Sequence, residues 1–225
     1  KDEQAIPFMY ERLSKTFQKI AVDYEIIFVN DCSPDNTNEV LQKIVNEDDR
    51  VIAIEHSRNF GSQAAFLSGM EISTGDGVIL LDGDLQDPPE LIEDFYKKYQ
   101  EGFDVVYAIR KKRKEGMSKR FLYWVYYRIL QMISSIDIPL DSGDFSMISR
   151  RVADTMNAMP EQSRYLRGIR TWIGFKQIGI EYERDRRAAG EPKYNLRMLM
   201  NLAYNGIFNF SGFPIKVITR LGFYT

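Results

Sequence analysis

Short apolar runs alternate with longer amphipathic stretches through the first half of the chain, and this alternation limits the fold more than any other feature. Apolar residues recur at steps of three and four from Ile6 to Ile20, and apolar runs follow at 24–29, 51–55, 78–81 and 103–109 with helical patterns between them. Strands separated by helices and short connections indicate an α/β fold with a mostly parallel sheet. Such a sheet normally begins with a strand, whereas this sequence begins with a helix. We therefore expect a first strand of the full protein to be absent from these 225 residues.

The apolar run Val78–Leu81 is the centre of this pattern. It follows Gly77 and ends in acidic residues, as expected of a strand that is buried on both faces and emerges at the carboxyl edge of the sheet. Ligands usually bind at that edge. Pro88 and Pro89 then begin a helix at positions where proline is tolerated. An acidic surface turn is the alternative interpretation, but the buried strand before it and the helix start after it favour a functional site.

The acidic residues after this strand are suited to binding a divalent cation. Asp82 and Asp84 are separated by one residue, so on an extended segment their side chains point in the same direction, and Gly83 leaves the backbone between them accessible. The Gln86 amide oxygen adds a third oxygen ligand. Oxygen ligands suit Mg²⁺ or Mn²⁺ carrying a substrate's phosphates better than they suit zinc, which prefers His and Cys.

The composition argues against several classes of protein. Thirty basic and 32 acidic residues leave a net charge of −2, which does not indicate nucleic acid as a partner. The single cysteine, Cys32, cannot form an intrachain disulfide bond. No stretch of about 18 apolar residues is present, so no segment of this sequence is predicted to span a bilayer. The lone His56 is interpreted as a strand-end residue, because no second histidine could join it in binding a metal.

Two segments of the second half are unusually apolar. The segment 121–133 is apolar or aromatic almost all round, which is typical of a helix that is buried or lies against a membrane, and the sequence leaves both open. The tail 194–217 contains apolar and basic residues but no acid. That composition favours a helix on a membrane surface.

The remaining elements of the second half are short. Asp144 follows a glycine just before a short strand or turn at 146–148. Helical patterns cover 151–159 and 164–173, and an edge strand is predicted at 176–182.

Six motifs, in order along nearly the whole chain, resemble those of a known family. They are VNDCSPDNT at 29–37, SRNFG at 57–61, LDGDLQDPPELI at 81–92, VVYAIR at 105–110, SGDF at 142–145 and RRAAGEPKY at 186–194. The chain resembles the family 2 glycosyltransferases of the GT-A fold, and within them the polyprenyl-phosphate sugar transferases, such as bactoprenol glucosyltransferases and dolichol-phosphate mannose synthases. The resemblance implies a Rossmann-like catalytic domain over 1–193 and an amphipathic juxtamembrane segment over 194–225, leading to a membrane region absent from this sequence.

The resemblance also implies roles for particular residues. Asp31 matches the acid that holds the nucleotide base, and the other matches for nucleotide-sugar binding are Arg58, Asp82 and Asp84. The residues matched to the metal, implied to be Mg²⁺ or Mn²⁺, are Asp84, Gln86 and Asp82. Those matched to donor or acceptor phosphate are Arg110, Arg187 and Lys193. Cys32 stands where the family usually has glycine, which is expected to alter the turn beside Asp31.

Asp144 matches the acid that lies near the acceptor and is the family's candidate base. A phosphate monoester has a second pKa of about 6, so a lipid phosphate is largely an oxyanion at neutral pH and attacks unaided, whereas a sugar hydroxyl does not. We therefore expect Asp144 to orient a lipid phosphate, or to act as general base towards a hydroxyl.

The activity implied by the resemblance is that of a metal-dependent, inverting glycosyltransferase. It would move a hexose from a UDP- or GDP-sugar to undecaprenyl or dolichyl phosphate at the cytoplasmic face of a membrane, either peripherally or anchored by C-terminal segments. Two alternatives stay open: a family member that extends a glycan hydroxyl, and a non-catalytic module that binds nucleotide-sugar. The sequence does not specify the nucleotide, the sugar or whether the protein forms homo-oligomers.

Overall fold

The computed structural model describes residues 3–110, 142–160 and 165–183, together with positions 219 and 222. The helices are α1 (Ala5–Ile20), α2 (Thr37–Glu47), α3 (Ser62–Ile72), α4 (Ile92–Gln100, preceded by a 3₁₀ turn at Pro89–Leu91), α5 (Arg150–Asn157) and α6 (Leu166–Trp172). The strands are β1 (Ile26–Asn30), β2 (Val51–Glu55), β3 (Gly77–Leu80), β4 (Val105–Arg110), β5 (Ser142–Ser149) and β6 (Gln177–Tyr182).

The described strands form two sheets. β1 and β2 pair in parallel, and a second sheet has the order β3-β5-β4-β6. β5 runs antiparallel to both β3 and β4, whereas β4 and β6 are parallel, so three of these four strands share one direction. The predicted α/β class with a mostly parallel arrangement is confirmed, and β6 is an edge strand as expected. The antiparallel β5 was not predicted, because its partners are distant in the sequence.

A large cavity separates the two sheets. It has a volume of about 1590 Å³ and is lined by all of β1 and β3 together with inward residues of α1 and α3. Within the described residues, neither β1 nor β3 has a strand partner on the side that faces this cavity. The additional first strand expected from the sequence stays a prediction.

The second sheet lies between two layers of helices. Val106 and Ala108 of β4 belong to a core cluster with the inward face of α1 and with α4, whose Phe95 packs on Phe145 of β5 at 4.8 Å between ring centroids. Val105 alternates with these residues and belongs to the opposite cluster, formed with α5 and α6. Every β5 residue from 143 to 149 is buried, as expected of a strand inside a sheet that helices cover on both faces.

Several predictions concern segments outside the described residues. These are the apolar segment 121–133, the domain boundary at 193 and the tail 194–217. Within the described ranges, no helix combines the length and apolar character that crossing a bilayer requires.

Candidate active site

The ends of several strands place charged side chains on the wall of the cavity. Asp31 follows β1, Asp82 and Asp84 follow β3, Arg110 closes β4, and all four line the cavity wall. Asp144 lines it as well, although it lies near the start of β5. Because β5 is antiparallel to β3 and β4, its beginning lies beside their ends. The reversed strand therefore brings a carboxylate from the second half of the chain to the predicted functional edge.

The loop after β3 is a turn rather than the extended segment expected from the sequence. Gly83 is open as predicted, since a Cβ atom at this position would meet no atom within 4 Å. Leu85 has a left-handed φ of 59°, which a bulky residue rarely adopts, and such strained residues are concentrated at functional sites. The Gln86 N–H donates to Asp84 Oδ1 at 3.1 Å and closes the turn.

Negative charge accumulates around Asp82. Burial raises the pKa of Asp82 to about 6, and the nearby carboxylates of Asp144, Asp84 and Asp87 add to the rise, while Arg110 opposes it. The fold thus holds several carboxylates close together without enough positive charge to balance them. Such a cluster is stabilised by a bound cation.

Asp144 forms a two-bond ion pair that the sequence analysis did not anticipate. Arg167 of α6 donates from Nε to Asp144 Oδ1 and from Nη2 to Oδ2, both at 2.8 Å, and the Asp144 side chain is only 8% exposed. Burial alone would raise the pKa of Asp144, but the hydrogen bonds and charge of Arg167 outweigh it and hold this pKa below the usual value. A carboxylate with a lowered pKa is a poor general base.

Arg110 is held by a second buried carboxylate. Asp87 is 1% exposed and accepts a very short hydrogen bond from the Tyr182 hydroxyl. Arg110 donates from Nε to the Tyr182 oxygen at 3.3 Å, and its Nη2 lies 3.5 Å from Asp87 Oδ2. A Cβ atom on Gly143 would lie 3.3 Å from Arg110 Nη2, so the glycine leaves room for the guanidinium group beside Asp144. Burial, together with the hydrogen bond to Asp87, raises the pKa of Tyr182 to about 12.

Asp31 joins the end of β1 to the loop after β2. Its Oδ1 accepts from the Phe60 N–H at 2.8 Å, and its Oδ2 accepts from the Gly61 N–H at 2.7 Å. His56 Nδ1 also lies 2.8 Å from Oδ1, while His56 Nε2 lies 2.9 Å from Ser68 Oγ. Burial alone would raise the pKa of Asp31, but these hydrogen bonds hold it below the usual value. A nucleotide at Asp31 would therefore meet a carboxylate that is already oriented.

Cys32 lies in the turn that follows Asp31 and has an unusual backbone conformation. Its φ of 59° lies in the left-handed region, which glycine adopts without the steric conflict of a side chain. The predicted effect of Cys32 on this turn thus has a physical basis in the backbone.

The structure does not bring every predicted residue to the cavity. Arg58 is exposed and stacks on the Phe60 ring at 4.1 Å, outside the residues that line the cavity. Gln86 is 5% exposed and is not among the residues that line the cavity, and its Oε1 accepts no hydrogen bond from any described residue. Arg187 and Lys193 lie outside the described residues.

Comparison with known proteins decides the family. The sequence profile described as "Glycosyl transferase family 2" matches residues 3–156. This chain belongs to glycosyl transferase family 2. The resemblance inferred from the six motifs is thereby confirmed, and the chain is a glycosyltransferase.

The glycosyltransferase has relatives that match it over nearly its whole length. It is 42% identical to "Uncharacterized glycosyltransferase YkcC" of Bacillus subtilis over 98% of this chain and 69% of the relative. It is 37% identical to "Bactoprenol glucosyl transferase" of Shigella phage SfX over 99% of this chain and 73% of the relative. It is also 37% identical to "Prophage bactoprenol glucosyl transferase homolog" of Escherichia coli K12 over 98% of this chain and 72% of the relative.

The donor set of the glycosyltransferase fits a divalent cation that is shared with substrate phosphates. Within the described residues, no three His, Cys, Asp or Glu side chains converge into a complete metal cage. Mg²⁺ bound to phosphates needs only one or two protein carboxylates, which Asp82 and Asp84 can supply. The raised pKa of Asp82 fits a cation at this corner, and so does Gln86 Oε1, which has no hydrogen-bond partner in the part of the chain that the structure describes.

Three residues of the site were missed because their partners are far away in the sequence. Arg167 lies 23 residues from Asp144, and Tyr182 lies 95 residues from Asp87. Asp87 stands inside a recognised motif, but only its near-complete burial shows that it holds other side chains. No local pattern in the sequence signals these pairs.

Proposed function

We propose that this glycosyltransferase moves a hexose from a UDP- or GDP-sugar to a polyprenyl phosphate by a metal-dependent, inverting reaction. The ion pair between Asp144 and Arg167 carries the proposal, because it leaves the candidate base poorly suited to deprotonating a hydroxyl. The relatives named bactoprenol glucosyl transferase support the same acceptor.

The donor would bind along the carboxyl ends of β1 and β3. Asp82 and Asp84, with Gln86 as a further ligand, would hold Mg²⁺ or Mn²⁺, which when bound supplies charge stabilisation to the departing diphosphate. Asp31 also lines the cavity and would hold the nucleotide base. Arg58 is a further donor contact in this proposal.

The acceptor chemistry follows from charge. The second pKa of a phosphate monoester is about 6, so at neutral pH its oxygen already carries the negative charge needed for attack. That oxygen would form a bond to the anomeric carbon while the bond from this carbon to the diphosphate breaks, and one displacement inverts the configuration. No protein group has to remove a proton. A glycan hydroxyl would need a base, which makes a hydroxyl acceptor the second candidate.

The remaining parts of the proposal concern segments beyond the described site. Residues 1–193 would form the catalytic domain, and residues 194–225 would lie on the cytoplasmic face of a membrane, where the lipid acceptor is found. Arg187 and Lys193 would contribute further positive charge to phosphate binding.

The test follows a radiolabelled sugar. Purified protein is incubated with UDP-glucose or GDP-mannose, Mg²⁺ or Mn²⁺, and either undecaprenyl phosphate, undecaprenol or an oligosaccharide. Label that enters the organic phase only with the phosphate, and not with Asp84→Asn or with EDTA, supports the proposal. The exposed Asp49→Asn variant is the control and should keep full activity. Label in a water-soluble glycan would establish the hydroxyl alternative, and donor binding without any transfer would establish the non-catalytic one.

A further inference from the structure

Two guanidinium groups line the same end of the cavity. Arg110 and Arg167 both contribute to its wall, beside Asp144. The two side chains lie within electrostatic reach of each other, although Asp87 affects Arg110 more strongly than Arg167 does.

Each of these arginines is oriented by a buried acid. Arg110 contacts Asp87, which is 1% exposed, and Arg167 is paired with Asp144, which is 8% exposed. A guanidinium group presents its N–H donors in a planar fork, and Arg167 directs Nε and one Nη2 donor at Asp144 while also hydrogen-bonding the Tyr165 side chain. The Arg167 side chain is still 25% exposed and belongs to the cavity wall. A guanidinium group that is held in place and partly exposed has the geometry to donate hydrogen bonds to the oxygens of a phosphate group.

A third arginine adds positive charge behind this pair. Arg170 is 3% exposed, and within the described residues its Nε and Nη2 have no hydrogen-bond partner. It lies on the face of the Tyr107 ring, 4.9 Å from its centroid, and its charge reaches both Asp144 and Arg167. A buried cation with unsatisfied donors is unfavourable on its own, and an anion in front of Arg167 would offset it.

We propose that Arg110 and Arg167 together form the subsite for the phosphate group of the acceptor, and that Asp144 is a positioning residue that holds Arg167 in place. This inference rests on the proposed function. It separates the charges of the site into two halves: Asp82 and Asp84 serve the metal and the donor diphosphate, and the arginines beside β5 serve the acceptor.

The test measures acceptor and donor kinetics separately, with farnesyl phosphate as a short lipid phosphate. Arg167→Gln should raise the KM for farnesyl phosphate by about 10- to 100-fold, the range expected when a charge-assisted contact is lost, and should leave the donor KM within about twofold. Arg167→Lys should recover part of the loss, because lysine keeps the charge but not the fork. Arg151→Gln is the control. Arg151 forms a similar two-bond pair with buried Asp104, which directly precedes β4 and so lies at the end of this strand away from Arg110.

Asp144→Asn distinguishes a positioning residue from a base. In the proposal it raises the acceptor KM, and combining it with Arg167→Gln adds little, because both changes remove the same arrangement. For both the wild type and Asp144→Asn, kcat/KM for farnesyl phosphate should rise through the phosphate's own second pKa of about 6. A loss of kcat at unchanged KM that adds to the Arg167→Gln effect would make Asp144 a base and overturn the proposal. A raised donor KM in Arg167→Gln would also overturn it, by placing Arg167 at the diphosphate.

Direct binding keeps this proposal separate from the proposed function. If the wild type transfers no sugar to either undecaprenyl phosphate or farnesyl phosphate, the proposed function fails, but calorimetric titration with farnesyl phosphate, farnesol and inorganic phosphate still tests the subsite. Binding of farnesyl phosphate that is lost in Arg167→Gln, with farnesol unaffected, supports an anion subsite for a lipid headgroup. Inorganic phosphate binding as tightly as farnesyl phosphate would show a free-phosphate site instead, and unchanged binding in Arg167→Gln would refute the subsite.

Discussion

Replacing Asp82 by Asn removes the carboxyl group that the fold places among three others, and the structure determines what this change should do to stability. In the folded protein the pKa of Asp82 is about 6, raised from 3.8 by burial and then by the charges of Asp144, Asp84 and Asp87. The unfolded chain keeps the lower value. The Asp82 carboxylate therefore opposes folding wherever it is ionised, and Asp82→Asn should relieve that opposition.

The pH dependence follows from the direction in which the fold moves this pKa. Below about pH 4 both states hold the proton, so Asp82 has no effect on the free energy of unfolding. Between the two pKa values only the unfolded chain loses its proton, so stability falls as the pH rises. Above about pH 6 both states are ionised, and the loss reaches about 3 kcal/mol, because a tenfold change in a protonation equilibrium corresponds to about 1.4 kcal/mol.

Urea denaturation without divalent ions, followed by circular dichroism at several pH values between about 4 and 8, measures this difference. Asp82→Asn should match the wild type near pH 4 and exceed its unfolding free energy by up to about 3 kcal/mol near pH 7. The exposed Asp49→Asn variant corrects for a general loss of charge. A flat difference between Asp82→Asn and the wild type, or one that falls with rising pH, would refute the proposed crowding of carboxylates.

Three further predictions concern the turns, the edge strand and the support of Arg110. Cys32→Gly should raise the free energy of unfolding by about 1 kcal/mol in urea, because φ at this position is 59°; an unchanged value would argue against strain. Gly179→Ala should lower it by about 1–3 kcal/mol, because the new Cβ would overlap the Ile109 side chain and lie 2.9 Å from Tyr107 Cε2; unchanged stability would show that these two β4 side chains move aside at little energetic cost. Tyr182→Phe removes the hydroxyl that contacts Arg110 and should raise the acceptor KM about three- to tenfold in the farnesyl phosphate assay, whereas a change in donor KM alone would place Arg110 at the donor.

Periodicity predicted the local part of the fold well. The steps of three and four in the first helix identified Ile6, Met9, Leu13 and Phe17, and all four are buried in the core. This works because the apolar face of a helix depends on the spacing of neighbouring residues and not on which element covers it.

The D-x-D end of the site was predicted for the same reason. A continuous apolar run that ends in acids indicates a buried strand and its carboxyl edge, and both Asp82 and Asp84 line the cavity. The turn itself differs from the extended segment expected, because a left-handed Leu85 cannot be inferred from residue spacing.

What the sequence by itself determined is the family, the α/β class and the acidic edge of the central strand, since each follows from motifs or periods within a few residues. Only the tertiary structure decided that an antiparallel strand carries Asp144 to that edge and that Arg167 meets it there. The same is true of Asp87 and Tyr182, which lie 95 residues apart and orient Arg110 together. Hydrogen bonds and charges act through space, so partners that chain folding brings together leave no period or spacing in the sequence.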